Sequence, residues 1–388
     1  AKICLSPEEV ALLQKNVSNV SKFEFDYFHS TRIDLMLFAN IKKYGIDVSD
    51  NPLWQEVIYK VHRKHIVLPE VERAQEFIEN NHLPIYSIKG AQSNRLYSEG
   101  EGIRVHKDYD YIALSSESAF QLASFLFSKG FVIASGVFSI KKVVINGNIR
   151  FSGHFHLRKV LHNQFEVVID INYPGFPLGR IDLYNPLLKG NCLSDEEQFM
   201  ITLCHAFKHR DVPMKDLNDL YLMMQKRELD YEYILQRIQL YGLEFYASML
   251  FGFIFDHYDF DETTVAMITR RLRIDKEIYR SFPHWPFDPG EELKVKQRDL
   301  DKRSKEKIDY MRIYLSPLIV YKENSPIYES ALHDLGDAGY TVDCLGEYVW
   351  EATRDNVGFI LTSMGIFIDT YADVVSVGRE KIKCYLRE

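Results

Sequence analysis

The chain has 388 residues, 46% of them hydrophobic, with a net charge of −8 at pH 7 and a pI near 5.9. That length can bury a sizeable core and has room for two or three domains, while the acidic balance argues against a broad nucleic-acid surface, which needs Lys and Arg to neutralise many phosphates. No apolar run reaches the roughly 18 residues of a bilayer span, and the opening AKICLSPEEV lacks the regions of a signal peptide, so a globular, cytoplasmic protein is expected. The cysteines, Cys4, Cys192, Cys204, Cys344 and Cys384, are odd in number and scattered, which predicts free thiols and no structural zinc.

In chain order, Ser6-Pro7-Glu8-Glu9 is a capping-box start for a first helix. A second helix is expected over 19–44, stopping at Gly45. Asn51-Pro52 opens a third, with Trp54, Val57, Ile58 and Val61 on one face, and Pro69 opens a fourth that reaches Asn80. From 84 to 173 short β-rich runs take over, with one helix over 116–129 ending at Gly130. VFSIKKVVING and IRFSGHFHLR predict a hairpin turning at Asn146-Gly147.

Ser194-Asp195-Glu196-Glu197 reads as another capping box and starts a helix in which His205 and His209 share a face. A zincin needs a glutamate directly after its first histidine, and Ala206 stands there instead. His154 and His156 share a strand face as well, without a recognisable full ligand set. Farther on, 294–312 interleaves opposite charges as an exposed helix does, and FPHWPFDPG at 282–290 reads as a loop. The apolar stretch 357–378 suits a buried helix or a pair of strands, and periodicity does not choose. The 24 Tyr and 25 Phe are read as filling cores between helices.

The most informative stretch is 81–114, NHLPIYSIKGAQSNRLYSEGEGIRVHKDYDYIAL. In an extended strand Asp108 and Asp110 point to one side while Tyr109 and Tyr111 point to the other. Paired carboxylates suit hard divalent cations that bridge protein oxygens to phosphates. Gly90 lets a phosphate approach the backbone, and the N–H groups opening a short helix at 91–97 favour an anion. A third acid stands in FEVVIDINY, 165–173, where Asp170 shares a face with Glu166, Val168 and Asn172.

The order strand, Lys89-Gly90, helix, Arg104-x-x-x-Asp108-x-Asp110, strand resembles the polymerase-β-like nucleotidyltransferase superfamily, and within it a bacterial family with a KG, then RxxxDxD core. The likeness covers roughly two thirds of the chain. It departs where the usual Gly-Ser pair appears as Gly90-Ala91-Gln92-Ser93, and its Gly-to-Asp spacing is longer than in the compact members. The resemblance implies an α+β fold with a mixed sheet core at 81–190, flanked by helical regions at 1–80 and 191–388. It implies transfer of a nucleoside monophosphate from an NTP such as ATP to a small-molecule or protein acceptor, with release of pyrophosphate, or else a non-catalytic nucleotide-binding or protein-interaction module of the same fold. It further implies two Mg²⁺ or Mn²⁺ ions on Asp108, Asp110 and Asp170, with Glu166 and then Asp182 as fallbacks for the third acid. Lys89, Gly90, Ser93 and Arg104 are implied at the triphosphate. By the same resemblance His205, His209, Lys215 and Asp219 line the nucleotide or acceptor pocket.

Overall fold

A computed structural model describes residues 6–30, 34–48, 51–89, 92, 96–97, 108–134, 138–145, 148–162, 164–173, 185–190, 192–209, 214–274, 309–320, 327–346, 349–354, 357–362 and 365–369. Among them the helices are α1 (Pro7–Ser18), α2 (Lys22–Ser30), α3 (Asp34–Lys43), α4 (Pro52–Asn80), α5 (Ser116–Ser128), α6 (Asp195–His209), α7 (Met214–Lys226), α8 (Tyr231–Tyr241), α9 (Glu244–His257), α10 (Glu262–Leu272) and α11 (Ile327–Asp337). The strands are β1 (Ile85–Ser87), β2 (Tyr109–Ala113), β3 (Val132–Ile133), β4 (Phe138–Ile145), β5 (Asn148–Leu161), β6 (Phe165–Tyr173), β7 (Leu188–Lys189), β8 (Cys192–Leu193), β9 (Asp309–Val320), β10 (Thr341–Gly346), β11 (Val349–Arg354), β12 (Val357–Thr362) and β13 (Gly365–Asp369). The class is α+β with a mixed sheet. The chain divides into one unit of 1–65, 88–106 and 185–304 and another of 66–87, 107–184 and 305–388.

The first unit is mainly helical. At its start, Ser6 Oγ accepts the Glu9 N–H at 3.3 Å and the Glu9 carboxylate accepts the Ser6 N–H at 2.7 Å, so α1 begins on the expected reciprocal cap. A second such cap joins Ser21 and Glu24 at 2.8 and 3.3 Å. It starts α2 afresh, and two helices stand where the sequence reading expects one over 19–44. Trp54, fully buried, meets Phe25 edge-on at 5.3 Å and stacks on Phe38 at 6.2 Å, with Val17, Ile41 and Val57 packed around them. Aromatic side chains of this size each contribute about 1.5–3 kcal/mol by burial.

The two helices expected from Asn51-Pro52 and from Pro69 are a single 29-residue helix with Pro69 inside it. Pro69 has no N–H to donate to the His65 carbonyl, and the chain passes from the first unit to the second at Ile66. Packing of Val67, Val71, Ala74 and Ile78, all buried, outweighs that lost bond.

In the second unit an 11-stranded sheet runs β1-β2-β6-β5-β4-β9-β13-β12-β11-β10, with β3 pairing β5 at the side. β2 and β6 are parallel, and the other pairs along the sheet are antiparallel. β4 and β5 pair from Ile145 opposite Asn148, while the turn expected at 146–147 lies outside the described residues. Helix α5, capped by Ser115 Oγ on the Ser118 N–H, packs on β2, β5 and β6. Its Phe120 lies 5.8 Å from Phe155 and 5.5 Å from Tyr173, all three fully buried. Because side chains alternate along a strand, filling one face with Phe155, Ile169, Ile171 and Tyr173 leaves His154, His156 and Asp170 to the other.

Beyond residue 308 the described residues depart from the helical expectation, supplying five strands and one helix. Residues 309–312, expected in a charged helix, open β9, which pairs with β4. The loop expected at 282–290 lies outside the described residues. The undecided apolar stretch contains the antiparallel pair β12 and β13, with Phe359, Ile360 and Leu361 buried in succession. Strands covered on both faces lose the polar alternation that identifies them in sequence. Among the described residues no helix is long and apolar enough to cross a membrane.

Candidate active site

The second unit builds a polar row across three adjacent strands. Parallel pairing of β2 with β6 sets Asp110 opposite Asp170, and antiparallel pairing of β6 with β5 sets Asp170 opposite His156. Asp110 and Asp170 are 8% and 6% exposed. Asn172, two residues on, donates to the Tyr111 carbonyl at 3.4 Å, which ties β6 to β2 beside the row. Asp108 stands in an exposed bend one residue before β2, outside the strand the sequence reading put it in.

Asp170 is held by two histidines of β5. His156 Nδ1 lies 2.5 Å from its Oδ1 and His154 Nε2 lies 3.4 Å from its Oδ2. Burial by itself pushes the Asp170 carboxyl up. The hydrogen bond and charge of His154, then those of His156, outweigh it and hold the group below the ordinary carboxylate range. Glu166 differs: its side chain is 42% exposed and pairs with Arg158 at 3.5 Å. The histidines were visible as an alternating pair, but only the β5–β6 register brings them to Asp170.

In the first unit a cavity of about 270 Å³ is lined by Lys89, Gln92, Lys189, Asp195, Gln198 and Arg227 among others. Lys89 adopts the left-handed backbone, φ 54°, at a cost of about 1–2 kcal/mol for a residue with a Cβ. Asp195 balances one of the cations, lying 3.7 Å from Arg227 Nε. This lining suits an anionic ligand. Sequence reasoning missed Lys189 and Arg227, since nothing in their local pattern marks them and the fold alone brings them to Lys89.

Glu197 does not complete the expected capping box. Its N–H takes the Ser194 Oγ cap at 3.3 Å, while its carboxylate accepts the Leu187 N–H and the Tyr233 hydroxyl. His205 pairs with Asp216, Nδ1 to Oδ2 at 3.4 Å. Asp219, 1% exposed, accepts the Tyr97 hydroxyl at 2.6 Å, and that hydroxyl accepts Asn218 Nδ2 at 2.9 Å. Lys226 Nζ also donates to the Leu96 carbonyl at 2.7 Å. Helix α7 thus grips residues 96 and 97, a few positions after Lys89. Gly90, Ser93, Arg104 and Asp182, with the side chains of His209 and Lys215, lie outside the described residues.

The profile of a family described as uncharacterised nucleotidyltransferase matches residues 25–254, more than half of the chain and a span that includes Lys89, Asp110 and Asp170. The chain belongs to this family. No curated protein matches it. Among solved structures, an antigenic nucleotidyltransferase-like protein from Paracoccidioides brasiliensis is similar at 13% identity, with 42% of this chain and 75% of that one covered and a TM-score of 0.24. Membership assigns the coarse activity class of nucleotidyl transfer and leaves nucleotide and acceptor to the chemistry of the site.

Proposed function

We propose that this chain moves a nucleoside monophosphate from an NTP, ATP included, to a hydroxyl, phosphate or amine of a small molecule or protein and releases pyrophosphate. Support comes chiefly from the juxtaposition of Asp110 and Asp170 as buried register partners. Two carboxylates so placed repel each other unless a proton or a cation lies with them. Their oxygens fit Mg²⁺ or Mn²⁺, with Asp108 at the strand entrance as the remaining oxygen ligand. When bound, such ions supply charge neutralisation on the triphosphate and a lowered pKa for the attacking hydroxyl.

The protein's own groups have separate tasks. Asp170, kept ionised by its histidines, accepts the proton of the attacking hydroxyl. Lys89 is assigned to the triphosphate, as nucleotidyl transfer gains mostly from positioning and charge, and within the first unit its cavity with Lys189 and Arg227 suits an anion. Gly90, Ser93 and Arg104 are assigned to the same phosphates. Asp219 acts by holding Tyr97 in place, and His205, His209 and Lys215 are assigned to the nucleotide or acceptor.

The test is incubation with each labelled NTP and Mg²⁺ or Mn²⁺ in the presence of metabolite and protein fractions, followed by pyrophosphate and product detection. Release of pyrophosphate with a labelled product, lost in Asp110→Asn and Asp170→Asn, is the expected result. Tight NTP binding with no product from any fraction would instead identify a non-catalytic nucleotide-binding module.

A further inference from the structure

The transfer chemistry uses His154 and His156 only through Asp170, yet their placement resembles a ligand set in its own right. They stand two residues apart on β5 and project from one face. The antiparallel register sets His156 level with Asp170 and His154 level with Asn172. One nitrogen from each ring and one oxygen of Asp170 all lie within 4.8 Å of one another, and the ring centroids are 6.1 Å apart.

Those spacings suit a common ion. Ligand atoms about 2.1 Å from a tetrahedral centre are about 3.4 Å apart. His154 Nε2 lies at that separation, 3.4 Å, from Asp170 Oδ2, while His156 Nδ1 lies 2.5 Å from the other oxygen, Oδ1, so an ion between the three residues takes one of the two oxygens and requires the side chains to adjust around it. The histidine side chains are 46% and 44% exposed, so an ion can enter from solvent, and three protein ligands leave a position open, as in catalytic rather than structural sites. Imidazole nitrogen favours zinc-like transition ions, whereas Mg²⁺ takes oxygen.

We propose that His154, His156 and Asp170 form a binding site for a divalent transition ion such as Zn²⁺, held in preference to Mg²⁺. The site needs no nucleotide, and in this it goes beyond the transfer reading. If an ion is held there during transfer, Asp170 divides its oxygens between that ion and the row it shares with Asp110.

Calorimetric titration of chelator-stripped protein with Zn²⁺ and, separately, with Mg²⁺, both without nucleotide, tests the proposal. Zn²⁺ should bind one per chain and more tightly than Mg²⁺. His154→Gln and His156→Gln should each weaken Zn²⁺ binding by about tenfold or more, with the circular dichroism of the stripped protein showing that each variant still folds. Substituted Co²⁺ should show the intense visible absorption of a four-coordinate ion, absent from His156→Gln. If His156→Gln does not fold, His154→Gln serves by itself. Zn²⁺ bound no more tightly than Mg²⁺, no binding without nucleotide, or equal Zn²⁺ binding by wild type and the folded histidine variants would overturn it. Pyrophosphate release measured in parallel keeps the two readings apart. Its absence beside an intact Zn²⁺ site counts against transfer only, and its presence without such a site counts against this proposal only.

Discussion

Asp110 and Asp170 are register partners on adjacent parallel strands, each less than a tenth exposed. Strands at this spacing, roughly 4.8 Å, set the two carboxylates side by side on one face of the sheet. The behaviour of single substitutions follows from that pairing.

Asp170→Ala should abolish transfer, with a loss on the order of 10²-fold or more, whereas Glu166→Ala should be much milder because the Glu166 side chain is 42% exposed and pairs with Arg158 at 3.5 Å. Single-turnover rates on both variants decide. The opposite ranking would move the third carboxylate to Glu166.

Asp110→Asn should cost more activity than Asp108→Asn. Asp110 is buried inside β2, while Asp108 lies in the exposed bend before it, so water and neighbouring oxygens replace Asp108 more readily. Equal losses on the order of 10²-fold in both would show that Asp108 is drawn into the site when substrate binds.

Gly153→Val should lower the melting temperature. A Cβ at Gly153 would sit 2.5–2.6 Å from the ring and hydroxyl of its cross-strand partner Tyr173, which is fully buried against Phe120 and Phe155. Overpacking of this kind costs about 1–3 kcal/mol. An unchanged melting curve would mean that Tyr173 has somewhere to go.

Tyr97→Phe removes the hydroxyl that donates to buried Asp219 and accepts from Asn218. A loss of about 1–3 kcal/mol in stability is expected when one hydrogen bond to a buried carboxylate is removed. In NTP titrations the KM should rise more than kcat falls, since the hydroxyl positions the segment after Lys89 and touches no reacting atom.

Cys204 should resist alkylation in the folded protein at about pH 8.5, where an ordinary thiol is half ionised. Burial, followed by the charge of Glu197, pushes its thiol well above the ordinary range, while Cys192 and Cys344 are exposed. Unfolded Cys204 releases its proton near pH 8.5 and the folded thiol does not, so its contribution to stability declines as pH rises above that value. Mass spectrometry after native labelling should find Cys192 and Cys344 modified and Cys204 intact; early labelling of Cys204 would contradict its burial.

Local chemistry was legible in the sequence wherever a residue's role depends on near neighbours. The cap at Ser6, the end of α5 before Gly130 and the strand carrying Asp170 could each be read from a few consecutive residues, because hydrogen bonds at i, i+3 and two-residue alternation are set within the chain. Pro69 inside α4 was misread because tertiary packing, not the local backbone preference, decides whether a helix survives the loss of one bond. Over 357–378 a buried helix and a pair of strands stayed open alternatives because Phe359, Ile360 and Leu361 are buried in succession, and burial on both faces erases alternation. Above all, the sequence by itself determined that Asp110, Asp170, His154 and His156 lie on strands with their neighbours on opposite faces. Only the tertiary structure decided that these strands are adjacent, in the register that puts Asp170 between Asp110 and His156, since strand order and register arise from pairings between segments that lie far apart in the chain.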